Sequence, residues 1–226
     1  MKRLALVGLF LIAAFALGAP PALAQAKQQA LVDRATLAVQ DVMTGPHGAD
    51  GSALLKAARA VMVCPRIFKA GFILGGSGGD CVLVARAGGG SWSDPAFFTM
   101  GSGSIGLQAG VQDSEMVLII RTERGLNALL NSHFKIGADA SVAIATIGGG
   151  VQRSMAAPLQ ADIVALSRTR GLFAGAALDG SVLSSDPGWN QAYYGKDFST
   201  RQIIIDMKAN NPGANPLRAM LSRFGG

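Results

Sequence analysis

The chain is 226 residues long, half hydrophobic and 15% charged, with a formal charge of +6 and two cysteines. It is apolar enough to bury a real core, and its cations are scattered rather than gathered in a basic run, which argues against a nucleic-acid partner. A modest positive balance suits an anionic lipid surface, and it suits ordinary solubility equally well.

Lys2 and Arg3 precede an apolar run from Leu4 to Leu17, and Ala22-Leu23-Ala24 supplies the small-x-small pattern of a cleavage site. This predicts a signal peptide over residues 1–24, cut before Gln25. The competing reading, a transmembrane anchor, fits less well: the run is broken by Gly18, Pro20 and Pro21 and falls short of the ~20 apolar residues that span a bilayer. The residue directly after the cleavage site is Gln25 rather than a cysteine that could carry a lipid. Cleavage would leave 202 residues (226 less 24) with a charge of +4, read as one domain over 25–226 in the periplasm or outside the cell.

Leu31, Ala35, Ala38, Val39, Val42 and Met43 recur at three- and four-residue spacing and predict a first helix, stopped by Gly45-Pro46. A short second helix is expected to start near Asp50-Gly51-Ser52 and to carry Lys56 and Arg59. From Val61 the period changes to that of strands. Candidates are 61–63, 67–74, 82–86, 97–100, 115–121, 141–147, 163–167 and 172–178, interrupted by helical spacing over Thr122 to Asn131. Ile105, Leu107, Ala109 and Val111 alternate with glycine and glutamine, which places them on one sheet face and leaves the other nearly bare. Glycine clusters at 75–76, 78–79, 88–90 and 148–150 read as tight turns. Asp186-Pro187-Gly188 opens a helix closed by Gly195, Ile203 to Ile205 fits strand or helix, and Leu217, Met220, Leu221 and Phe224 line one side of a closing helix. The fold class is α+β: a curved, mostly antiparallel sheet packed by N-terminal and C-terminal helices, whose closure into a barrel would protect its edges.

Chemistry-bearing residues are few. Gly101-Ser102-Gly103-Ser104-Ile105-Gly106 has dinucleotide-binding spacing, but strand alternation follows where a helix would have to open. His47 sits in a Gly-Pro loop and His133 beside Asn131-Ser132. Pairing of His133 with Cys64 or Cys81 as base and nucleophile lacks any local support, no metal-ligand spacing occurs, and Asp113 with Glu115 is the closest carboxylate pair. An enzyme and a cofactor are therefore not expected. Cys64 and Cys81 fall on neighbouring strands. Export makes a disulfide available, worth ~3 kcal/mol; the alternative is two buried thiols acting as small hydrophobes. Lys27 and Arg34 lie seven apart on the first helix, whose apolar stripe either enters a membrane interface or packs on the sheet. Arg66 and Lys69 flank Ile67-Phe68, while Arg168 and Arg170 either grip phosphate or bracket a turn. Phe68, Phe72, Trp92, Phe97 and Phe98 line an acyl groove or fill the core.

Several segments in fixed order carry a family likeness: Lys69-Ala70-Gly71-Phe72-Ile73-Leu74-Gly75-Gly76, Trp92-Ser93-Asp94-Pro95-Ala96-Phe97, Gly106-Leu107-Gln108-Ala109-Gly110, Leu126-Asn127-Ala128-Leu129-Leu130, the run from Phe134 to Val142, and the run from Ser167 to Gly175. Together they resemble the SYLF domain, a module that binds phosphoinositides and other acidic lipids and, in some eukaryotic members, actin. The resemblance implies a non-enzymatic lipid-binding protein of the cell envelope. For an exported chain an ordinary anionic phospholipid would replace phosphoinositide, and actin binding is not expected. Lys27, Arg34, Arg66 and Lys69 would meet head groups, and the apolar helix face or Phe-lined strands would meet acyl chains. The rival reading is a structural or protein-interaction module of the envelope that carries no lipid.

Overall fold

A computed structural model describes residues 21–45, 48–71, 74–105, 110–131, 133–147, 160–171 and 180–226. The part of the predicted signal peptide before Pro21, His47, Phe72, the glycines at 148–150 and the strand candidate at 172–178 lie outside the described residues. Two helices, α1 (Pro21–Met43) and α2 (Gly48–Lys56), lead into four long strands. These are β1 (Ala60–Gly71), β2 (Leu74–Ala85), β3 (Ala96–Ile105) and β4 (Gly110–Ile120). Then come α3 (Glu123–Leu130), β5 (His133–Lys135), β6 (Val142–Ile147), β7 (Ile163–Gly171) and β8 (Val182–Ser185). Helices α4 (Pro187–Tyr194), α5 (Thr200–Ile204) and α6 (Asn215–Gly225) close the chain.

The eight strands form one sheet in the order β5-β8-β3-β2-β1-β4-β7-β6, antiparallel throughout except for the parallel β6–β7 pair. Alternation divides the strand residues between two cores. On one face Met62, Leu83, Phe98 and Leu118 pack with Leu129 of α3 and Ile203 of α5. Phe134 of β5 and Ala165 of β7, from opposite sides of the sheet, meet in that same cluster, so the sheet curls around it as a half-barrel and this face is the inner one. On the outer face Val61, Val63, Val84, Val117 and Ile119 pack under α1, α4 and α6. Each such fully buried aliphatic side chain contributes ~1.5–3 kcal/mol.

The predicted stripe of α1, Leu31, Ala35, Ala38, Val39, Val42 and Met43, is buried to 3% exposure or less. It packs on the sheet, so this face is not offered to a membrane. Helix α4 forms where expected: Asp186 caps it by accepting from the Trp189 N–H at 2.9 Å, and Gly195 ends it in the left-handed region at φ 68°. The Ile203 segment is helical because Ser199 and Gln202 make a reciprocal capping box.

Other expectations need correction. Helix α2 starts at Gly48, ahead of Asp50, and ends before Arg59. The glycines at 75–76 and 78–79 are not turns but lie inside β2, which begins at Leu74. On β4, by contrast, Val111 and Gln112 do fall on opposite faces, Val111 being 56% exposed and Gln112 buried. Segments 61–63 and 67–71 are one strand with a bulge. Strands β5 and β8 have no local signal; they are short and exist through pairing with each other, β8 also with β3.

Candidate functional site

Cys64-Pro65 explains the bulge. Proline has no N–H to give to a ladder, so a central strand must break its pairing there. Val63 pairs with Val82 and Phe68 with Gly78, five steps on β1 against four on β2, and the register with β4 slips by the same single residue between Cys64 and Ile67. The extra residue lifts Arg66 out of the sheet. Opposite it, Gly79 is required: a Cβ there would stand 2.3 Å from the Arg66 carbonyl oxygen.

The bulge and the adjacent turns of α1 enclose an open cavity of about 420 Å³ on the outer face. Leu31 and Pro65 give it apolar ground, Arg34 and Arg66 stand at its margin, and Phe68, 44% exposed, extends it along the sheet. The Arg66 guanidinium lies 5.9 Å from the Phe68 ring centre and donates to both carboxylate oxygens of Asp113, Nε at 3.0 Å to each and Nη2 at 2.9 Å. Asp80 enters the cavity from β2. Burial pushes its carboxyl above the usual range and Asp186 adds to this, while Arg34 opposes them. Arg34, Arg66, Asp80 and Asp113 thus sum to no formal charge, with Arg66 already held by a carboxylate. Asp80 and Asp113 were the signal that spacing alone could not reveal, because both reach the cations only across strands.

The four basic residues read from the sequence do not form one site. Arg34 and Arg66 meet at the cavity. Lys27 is exposed on α1 and does not line it. Lys69 follows Ile67 on the inner face, on the side of the sheet opposite Phe68. Arg168 pairs with Asp41 of α1 at 3.2 Å, which fixes it to the helix. Of the aromatic residues, Trp92, Phe97 and Phe98 are core and Phe68 alone among those described is substantially exposed.

Cys64 and Cys81 face each other across β1 and β2 and are joined by a disulfide, their Cα atoms 4.2 Å apart. Neither sulfur is then a nucleophile for His133, which is exposed with Nδ1 3.0 Å from the Ser184 hydroxyl. Among the described residues no three metal-ligating side chains gather, and no helix is long and apolar enough to cross a membrane.

A family profile described as "Ysc84: Las17-binding protein actin regulator" matches residues 101–224, more than half of the chain. The chain belongs to the Ysc84 family. Its likeness to the SYLF domain is thereby supported. Among the relatives of this Ysc84-family chain, human SH3 domain-containing YSC84-like protein 1 is 28% identical over 159 residues, 70% of this chain and 46% of that protein. The Xenopus laevis protein of the same name is 31% identical over 132 residues, 58% of this chain and 39% of its own length. Protein YSC84 of Saccharomyces cerevisiae is 28% identical over 171 residues, 74% of this chain and 36% of that protein. The chain therefore spans less than half the length of these relatives.

Proposed function

We propose that this Ysc84-family chain is a non-enzymatic lipid-binding module of the cell envelope, made with a signal peptide over 1–24 and working as a single domain over 25–226. Its outer cavity takes an anionic phospholipid head group at Arg34 and Arg66, and the acyl chains run over Phe68. The observation that carries this reading is the juxtaposition of two guanidinium groups with an exposed aromatic side chain and an apolar floor. Arg66 binds by sharing itself between the head group and Asp113, so Arg34 is the stronger anchor. The disulfide agrees with folding in an oxidising compartment.

Flotation of the mature protein with phosphatidylglycerol vesicles at low salt tests the reading. Co-flotation that is lost with phosphatidylcholine and weakened in Arg34→Gln is expected. Mature protein that stays at the bottom of the gradient with anionic vesicles ends it.

One finding favours a second reading, a protein-docking module: the family description names a Las17-binding actin regulator. Native mass spectrometry separates the two, since retained phospholipid supports the first and a lipid-free assembly with a protein partner supports the second.

A further inference from the structure

The outer cavity is lined by a carboxylate as well as by guanidinium groups. Arg34 reaches it from α1 and Asp80 from β2, while Gly78 and Gly79 of β2 put no side chain into the space. Arg66 is held by both carboxylate oxygens of Asp113. Arg34 and Asp80 are placed differently. They are opposite in sign and line the same cavity, yet they form no ion pair with each other, and neither side chain has a hydrogen-bond partner among the described residues. Arg34 acts on Asp80 only at a distance.

Asp80 is partly buried, and the carboxylate of Asp186, which caps α4, repels it. A desolvated carboxylate with a like charge beside it and no donor of its own is stabilised by a cation brought in from outside. The separated charges therefore discriminate between head groups. One that is purely anionic, such as phosphoglycerol, meets Arg34 but also stands beside Asp80, and the repulsion offsets part of the attraction. One with phosphate and ammonium a few bonds apart satisfies both: the phosphate oxygens accept from the guanidinium, and the ammonium N–H groups donate to the carboxylate. Choline cannot do this, because its quaternary nitrogen has no N–H.

On the reading of the outer cavity as a head-group site, we propose that its preferred ligand is a phosphodiester head group bearing a primary ammonium, with the phosphate at Arg34 and the ammonium at Asp80.

Vesicles of phosphatidylserine and of phosphatidylglycerol, each diluted equally in phosphatidylcholine, carry the same net charge and differ in the ammonium. Flotation of the mature protein as a function of lipid concentration should show binding about three- to tenfold tighter to phosphatidylserine, the range for one charged hydrogen bond at a partly exposed site. Asp80→Asn should remove the preference from both sides, weakening binding to phosphatidylserine and strengthening it to phosphatidylglycerol; the gain also shows that the variant folds. Arg34→Gln should weaken both. Equal flotation on the two vesicles, or a preference that survives in Asp80→Asn, overturns the ammonium site and leaves the outer cavity standing as a head-group site. Calorimetric titration with glycerophosphoserine, which has no acyl chains, distinguishes the source. Heat that is lost in Asp80→Asn, from a protein that floats with neither vesicle, assigns the site to a free amino phosphodiester and ends the lipid reading. Neither flotation nor heat overturns both.

Discussion

Asp162→Asn is the perturbation that most directly tests how the C-terminal side of the sheet is held. Asp162 sits just before β7 with its side chain 8% exposed. It accepts from the Arg124 guanidinium, from Thr122 Oγ1 at 2.7 Å, and from the Ser141 N–H and Oγ at 3.0 and 2.7 Å. One carboxylate thus ties the cap of α3 to the starts of β6 and β7. The asparagine keeps the shape but loses the charge and turns an N–H₂ toward donors. Truncating a buried charge that accepts this many bonds costs about 2–4 kcal/mol. With a urea slope of about 2 kcal/mol/M for a chain of this size, the midpoint falls by ~1–2 M at unchanged slope.

The pH dependence follows from the same bonds. Arg124 above all, and then the Thr122 and Ser141 donors, hold the Asp162 carboxyl well below the usual carboxylate range, against the opposing effect of burial. The folded value lies below the unfolded one of ~3.9, so the contribution is complete above that pH and is lost as pH falls through the folded value. Urea unfolding at pH 6.5, 4 and 3 should therefore give a gap between wild type and variant that is largest at pH 6.5 and narrows on acidification. A variant within ~0.5 kcal/mol of wild type at pH 6.5, or a gap that stays constant to pH 3, refutes the reasoning.

Gly79→Ala forces a Cβ against the Arg66 carbonyl and should destabilise by about 1–3 kcal/mol, whereas Gly101→Ala, with nothing within 4 Å, should be neutral or slightly stabilising; thermal melts of the pair check this contrast. Thiol titration of the unreduced, unfolded mature protein should find no free thiol, and Cys64→Ala/Cys81→Ala should lose ~3 kcal/mol in denaturant unfolding. Because Asp80 is pushed upward by burial and by Asp186, it takes its proton above the ordinary carboxylate value and leaves the cavity more cationic. Anionic-vesicle flotation should therefore strengthen as pH is lowered from 7 toward that range, and Asp80→Asn should bind at pH 7 as wild type does at the lower pH.

Local signals were enough for the elements whose stability is local. The 3.6-residue stripe of α1, the helical spacing over Thr122 to Asn131 that becomes α3, and the Asp186-Pro187 start and Gly195 stop of α4 are all written in consecutive residues, and each stands where the sequence puts it. The α+β class and the family likeness were legible for the same reason. Pairing across the sheet was not. The glycines of β2 read as turns because strand membership there is conferred by β1 and β3. The four cations were each visible, but their grouping was decided by a single extra residue at Pro65: the bulge brings Arg66 beside Arg34, while alternation sends Lys69 to the inner face. Side-chain direction in a strand flips with every residue, so a one-residue slip assigns neighbouring charges to different surfaces, and only the folded register can say which.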